Sequence, residues 1–446
     1  MADPSAQLCL VRDRFELPSA RVNFVGDTFK LTILENVVPT VRTSALDTKT
    51  PPTPVYVDTN NYLNLQNAKD VFAKDPDAFK AVRLLGNPFE GIGRSIFMNR
   101  AAIKLANIDA VFGITSDATR SYTLDQQQLP GAFRFIDLAG GPGAFVQYLQ
   151  YRRPEATGFG ITLKQGGIDY TPQVKGEQVL DTKRFNIYYG IDGTGNLYTQ
   201  WDNFAQRAGT AELVLADGGT DVDDDPANIR QAEFLNSKLI TVEVLLGLMC
   251  TASGGTFILK VFDTVTLLSA QLLYFCARNF DSITMFKPVS SRPANAERYL
   301  ICRGKRENVA VSGNTSGNID DRDILRQAMV AIQSRPQSSF TQLLSSPLPP
   351  DFIAWLTASN NAAVTAQTAA VSTILNLLVN PTAIPPGSHA PLYIISRFLK
   401  IWNLPDNPPP RTEMNQRSSS EQRNYTPVQT ESSRVTQTKS RPPPRK

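Results

Sequence analysis

The chain has 446 residues, 41% of them hydrophobic, enough to bury a full core in one large domain with extensions or in two domains. A single histidine, His389 in the Pro/Gly-rich "IPPGSHAP", argues against a histidine-centred triad, a His-ligated metal or a histidine general base; four cysteines with no C-x-x-C pair argue against a disulfide framework or a zinc site. The formal net charge is +4, and the stretch from Asp406 onward holds eight Lys/Arg against four Asp/Glu, so the rest of the chain is neutral.

The opening residues, "MADPSAQLCLVRDRFELP", show no cationic segment leading into an apolar one, so no secretory leader is expected, and the cysteine usage reads as intracellular. Residues 1–80 are mixed in composition, contain the Pro/Thr-rich "TKTPPTPVYVDT" expected as loop, and are read as an N-terminal extension. Residues 81–305 are read as a catalytic domain. Its first helix, "RSIFMNRAAIKLANID", carries Lys104. Seven short apolar runs follow, "FRFIDLA", "GFGITL", "FNIYYGI", "ELVLADGG", "GTFILKVF", "SITMFKPV" and "RYLICRG". The first five are separated by helical or crossover segments and the last two by a short polar loop, which predicts a mostly parallel α/β sheet ending in an antiparallel hairpin, the outline of a Rossmann-like methyltransferase.

Within "FRFIDLAGGPGAFVQYL" the first strand runs out at Asp137 and Leu138, turns through Ala139, Gly140, Gly141, Pro142 and Gly143, and enters a helix at Ala144. Glycines at such a turn let a ligand approach the backbone, and a helix N-terminus favours a negative group. The spacing is not G-x-G-x-x-G, because Val146 stands at the third glycine position, and no Gly-Lys-Ser/Thr follows. S-adenosylmethionine fits better than a dinucleotide or a triphosphate, with its carboxylate toward the turn and Asp137 near its cationic or hydroxyl groups. Asp192 and Gly193 in "YYGIDGTGN" follow the third strand, where a parallel sheet opens into its ligand crevice; Asp192 reads equally well as an Asx-turn residue.

The longest apolar run, "LITVEVLLGLMCTA", is interrupted by Glu243 and is shorter than the roughly 20 residues that cross a bilayer, so no membrane span is expected. Asp217 ends the fourth strand, Lys260 lies inside the fifth between Leu259 and Val261, and Glu297 stands where the last begins. A lysine in an apolar strand is costly to bury unless paired. Residues 306–405 read as a helical extension ("DDRDILRQAMVAIQ", "DFIAWLTA", "NAAVTAQTAAVSTILNLLVN", "LYIISRFLKIWNL"), and residues 406–446, rich in Pro, Ser, Thr, Gln and Arg, as a disordered basic tail that solubilises the protein or assists RNA contact.

In chain order Lys104, Asp217, Lys260 and Glu297 resemble the Lys-Asp-Lys-Glu tetrad of the FtsJ-like RNA 2′-O-ribose methyltransferases. The segments "NPFEGIGRSIFMNRAAIKLANID", "GGTFILKVFD" and "KPVSSRPANAERYLICRG" are similar to the eukaryotic and viral cap-specific mRNA 2′-O-methyltransferases. The resemblance implies S-adenosylmethionine as cofactor, capped RNA as substrate, methylation of the first transcribed nucleotide, no metal, and a nuclear setting or else a cytoplasmic or virus-associated one. It points to Arg83 and Asn228 as RNA contacts. "GFGITL" departs from many methyltransferases in ending without an acidic residue for the adenosine ribose. Lys260 is expected to act as base or hydroxyl-polarising group, its pKa lowered toward neutrality by desolvation and by Lys104, with Asp217 and Glu297 orienting it. Two alternatives stay open: a 2′-O-methyltransferase of ribosomal or transfer RNA, and a non-catalytic RNA-binding subunit.

Overall fold

The computed structural model describes residues 28–30, 39–45, 53–87, 89–116, 132–164, 169–170, 173–174, 177–219, 231–307, 320–334, 338–380 and 392–405. These all fall within one compact unit, Met1–Pro408. The basic tail and His389 lie outside the described residues.

A seven-stranded sheet forms the centre. Its strands are β2 (Arg134–Leu138), β3 (Thr157–Ile161), β6 (Phe185–Tyr188), β7 (Ala211–Ala216), β8 (Thr251–Val261), β9 (Phe280–Phe286) and β10 (Arg298–Lys305), in the order β6-β3-β2-β7-β8-β10-β9. The first five in that order pair in parallel, while β10 runs antiparallel between β8 and β9. All seven apolar runs are strands, and the mostly parallel sheet with a terminal hairpin is the architecture expected from the sequence.

Alternation along the buried strands divides the core into two layers. Ile136, Val214, Leu259 and Leu300 face helices α5 (Leu197–Ala208), α7 (Ser237–Cys250), α8 (Leu267–Asn279) and α9 (Asp321–Ser334). Phe135, Leu215, Ile258 and Tyr299 face α3 (Ala101–Phe112), α4 (Ala144–Arg152) and α11 (Leu392–Ile401). A short helix, α6 (Ala232–Leu235), precedes α7.

Four features were not expected. A two-stranded sheet joins β1 (Pro39–Ala45) to β11 (Ser338–Leu344), and a minor hairpin joins β4 (Gln173–Val174) to β5 (Glu177–Gln178). Helices α1 (Thr59–Lys74) and α2 (Pro76–Arg83), each capped by an aspartate side chain, Asp58 or Asp75, pack on a third apolar cluster with Val364, Val371 and Ile374 of α10 (Pro350–Val379). That helix is continuous over 30 residues, whereas the sequence reads as two helices, one ending at Ala358 and the next starting at Asn361.

The correction at α10 has a physical cause. Asn360 looks like a loop residue, yet it is buried and its side-chain amide donates to the carbonyl oxygens of Tyr56 (2.8 Å) and Thr264 (2.9 Å) while its Oδ1 accepts from Arg298 (2.9 Å) and Thr264 (2.9 Å). With those partners the amide is satisfied inside a helix. By length and composition alone α10, with a window of mean hydropathy 1.5, could cross a membrane. Its buried Asn360 and Gln367 instead meet Arg298 and Lys69 of the same chain, the contacts of a core helix.

Candidate active site

The four charged residues singled out in the sequence come together at the carboxyl ends of the central parallel strands. Asp217 directly follows β7, and Lys260 sits in the neighbouring β8, where it donates to the Asp217 carbonyl (2.8 Å) and stands 3.3 Å from Asp217 Oδ1. Lys104 reaches in from α3 and pairs with both Glu297 oxygens at 2.7 and 2.9 Å. Each of the four side chains keeps only 11–18% exposure, so two ion pairs share one narrow mouth. The β8–β10 register sets Tyr299 opposite Lys260, and the Tyr299 hydroxyl donates to Asp217 Oδ1 (2.9 Å). Ser291 donates to Glu297 Oε1 (2.8 Å).

The electrostatics reverse one expectation. Burial does push the Lys260 ammonium down, but Asp217, Glu297 and Glu243 outweigh it and raise the group above its ordinary value. The expected lowering toward neutrality took account of one neighbouring cation and not of three carboxylates. Glu297 mirrors this: burial opposes its ionisation, yet Lys104 and Lys260 hold it down to about 2.

Glu243, which interrupts the apolar run of α7, was not singled out. It is fully buried, and neither oxygen has a hydrogen-bond partner among the described residues; the Gly218 N–H is near enough to favour its ionised form but lies outside hydrogen-bond geometry. Burial raises it to about 8, with Lys260 opposing and Asp217 and Asp137 adding repulsion. A lone glutamate in an apolar helix was the only trace of it in the sequence.

Beside this mouth the glycine turn leaves β2. Ala139 has φ +52° and Gly143, which starts α4, has φ +104°; a Cβ on Gly143 would meet Leu180 at 2.6 Å. Asp137 is buried under Gly140, where an added Cβ would meet its Oδ2 at 2.1 Å. Tyr170 donates to Asp137 Oδ2 and to its carbonyl at 3.1 Å, leaving Oδ1 without a hydrogen-bond partner among the described residues. Burial raises Asp137 to about 8, Tyr170 lowering it and Asp217 raising it. Leu138 and Ala144 are buried in the flanking strand and helix. Asp192 is exposed in the loop after β6 and accepts from Thr194 N (3.0 Å), Thr194 Oγ1 (2.8 Å) and Gln200 (3.0 Å), an Asx turn; Gly193 beside it has open space where a Cβ would stand.

A cleft open to solvent lies against the other side of the Glu297 loop. Phe72 and Phe79, stacked at 4.3 Å, Ile374 of α10 and Pro293–Asn295 supply its walls, and Lys69, Arg83 and Arg292 bring positive charge. Arg83 lies over the Phe79 ring at 5.8 Å, and its Nε has no hydrogen-bond partner among the described residues. Asn228 lies outside the described residues. Lys287, also not singled out, donates from the end of β9 to Asn295 O (2.8 Å), Asn295 Oδ1 (2.9 Å) and Glu297 O (2.8 Å). Although the residue keeps partial exposure, burial of its Nζ pulls it down to about 7, against the attraction of Glu297 and with Arg298, Lys104 and Lys69 adding repulsion. No group of three or more metal-ligating side chains occurs among the described residues.

Parallel sheet, terminal hairpin and glycine turn define a Rossmann-type fold, with two lysine–carboxylate pairs at the carboxyl ends of its strands. A family model described as FtsJ-like methyltransferase matches residues 97–305, the segment that holds all four charged residues and the whole seven-stranded sheet. Among curated relatives, the cap-specific mRNA (nucleoside-2′-O-)-methyltransferase 1 of Drosophila melanogaster is 36% identical over 268 residues, 58% of this chain and 33% of that protein. Proteins of the same name from Ailuropoda melanoleuca and Homo sapiens are 31% and 30% identical over 361 residues, 76% of this chain and 41% of theirs. The chain thus spans between a third and about two fifths of the length of these relatives.

Proposed function

We propose that this chain methylates the ribose 2′-hydroxyl of the first transcribed nucleotide of capped RNA, using S-adenosylmethionine. The observation that carries the reading is the convergence of two lysine–carboxylate pairs beside the glycine turn, a pocket whose cost in buried charge a purely structural site would not require. The names and identities of the relatives support the capped substrate.

The residues present fit the cofactor. Asp137 has an unpartnered buried oxygen, Gly193 leaves open space, and the exposed apolar Leu163 and Ile191 stand on the loops after β3 and β6, surfaces suited to a flat base. Ala139–Gly143 and Asp192–Gly193 would hold it, and when bound it supplies an electrophilic methyl group on sulfonium.

The chain's own part is to fix and polarise the hydroxyl. Lys260, kept as an ammonium by its carboxylates, donates toward the hydroxyl oxygen and stabilises negative charge growing there. Asp217 receives Lys260 and Tyr299 on Oδ1, and Oδ2 takes no hydrogen bond among the described residues, which leaves it to accept the proton that the hydroxyl releases on its way to solvent. Lys104 and Glu297 form the opposite wall. Positioning of this kind is worth about 7–11 kcal/mol. The cleft with aromatic walls and cations suits a nucleobase joined to phosphates, and we assign it to the capped end.

Purified protein should transfer labelled methyl to a short capped RNA, with much lower transfer to the same RNA uncapped. Equal transfer to both would favour the ribosomal or transfer RNA reading, and no transfer to any RNA the non-catalytic one.

A further inference from the structure

The loop between β9 and β10 belongs to two sites at once. Its residues Pro293, Ala294 and Asn295 wall the cleft, while Ser291 donates to Glu297 of the tetrad at the loop's far end. The first half is pinned from the α3 side: Asn107 accepts from Val289 N (2.9 Å) and Arg100 donates to Ser290 O (2.8 Å). The second half is tied by Lys287, whose Nζ gathers the Asn295 carbonyl, the Asn295 side chain and the Glu297 carbonyl. Three acceptor oxygens around one Nζ favour the ammonium against the burial that pulls Lys287 down to about 7, and hydrogen bonds from a charged donor are among the stronger ones.

We propose that Lys287 is a positioning residue that sets the spacing between the cleft and the tetrad, and so selects which ribose meets Lys260 when the capped end is seated. The inference rests on the capped-RNA reading for its functional half. Its structural half stands on the hydrogen bonds alone. Among the described residues Lys287 donates to no tetrad side chain and, in the cleft lining, only to Asn295, although it shares charge interactions with Glu297, Lys104 and Lys69. Its hydrogen bonds reach the backbone at Asn295 and Glu297, one residue on each side of Ala296, and its charge adds to the attraction on the Glu297 carboxylate.

The test compares Lys287→Met and Lys287→Arg with the unaltered chain. In Lys287→Met the turnover on capped RNA should fall by about 100-fold, the loss expected when a reacting group is misplaced by about 1 Å. The capped-over-uncapped ratio should approach one, the affinity for S-adenosylmethionine by calorimetry should stay within about twofold, and hydrogen exchange at the amides of residues 289–297 should accelerate. Lys287→Arg, which keeps charge and several donors, should restore slow exchange and much of the ratio. Exchange and ratio both unchanged in Lys287→Met overturn the proposal, as does a loss of cofactor affinity equal to the loss of turnover. Should the unaltered chain fail to methylate capped RNA while exchange still accelerates in Lys287→Met, the activity assignment fails and the latch stands. If Lys287→Met does not fold, Lys287→Arg with the exchange measurement decides the matter, and exchange as slow as in the unaltered chain supports it only if Asn295→Ala, which removes one acceptor, accelerates it.

Discussion

At Lys260 the decisive quantity is the sum of three carboxylates against one burial penalty, and the carboxylates win. If the group works as a fixed cation, Lys260→Ala should lower turnover by about 10²–10³-fold, the loss usual for a positioned donor, with cofactor affinity retained. Lys260→Arg should lose less than Lys260→Ala, because the positive charge persists. Equal inactivity of the two in a single-turnover assay would return the lysine to the role of proton acceptor. Asp137 permits a separate check on stability. Its folded value of about 8 lies above the ordinary 3.8, so the folded chain binds more protons than the unfolded one between those limits, and stability present below pH 3.8 is lost as pH rises through 8. Asp137→Asn removes this dependence while leaving an acceptor for Tyr170. The melting temperature of the ligand-free variant should therefore gain on the unaltered chain steadily from pH 5 to pH 8, and a constant difference would show that the carboxyl is not held protonated.

Among the elements, those legible in the sequence are the ones whose burial is continuous along the chain. Each of the seven strands contains a short apolar run because both faces of the sheet are covered, and the tetrad was legible as a set through its resemblance to that of the FtsJ-like enzymes, each charge singly reading as a salt bridge or a solvated face. What escaped reading depends on partners far away. β1 and β11 pair across roughly 300 residues and lack a buried second face, Asn360 becomes a helix residue only by meeting Tyr56, Thr264 and Arg298, and Lys287 and Glu243 are single charges whose meaning lies in the neighbours that folding supplies. The Asn360 junction gives the prediction at this scale. Asn360→Ala takes the amide away from the Thr264 hydroxyl and from the Tyr56 and Thr264 carbonyls, while the Arg298 nitrogen keeps Phe262 O, Asp263 O and Thr264 Oγ1, and should cost about 2–4 kcal/mol in denaturant titration. A cost below about 0.5 kcal/mol would mean that α10 is held by its apolar face and that the Asn360 junction contributes no specificity.

Over the whole molecule, the cleft is assembled from segments distant in the chain: α1 and α2 on one side, the loop before β10 on another, and Ile374 of α10 on a third. The sheet with its glycine turn needs none of these segments for its own hydrogen bonds, so ligand recognition at the cleft and cofactor binding should respond separately to substitution. Arg83 offers the cleanest separation, since it ends α2, leans on Phe79 and has an unpartnered Nε beside the cleft. If this cation meets a phosphate of the capped end, Arg83→Ala should raise KM for capped RNA at low salt and leave both the affinity for S-adenosylmethionine and the turnover at saturating RNA close to those of the unaltered chain. Removing a single cation–phosphate pair should also reduce the slope of log KM against log salt by about 0.7–0.9, the value per neutralised phosphate for single-stranded and duplex nucleic acid. A raised KM with an unchanged slope would identify Arg83 as a wall of the cleft acting through its packing on Phe79. An unchanged KM would move the capped end to another surface of the molecule.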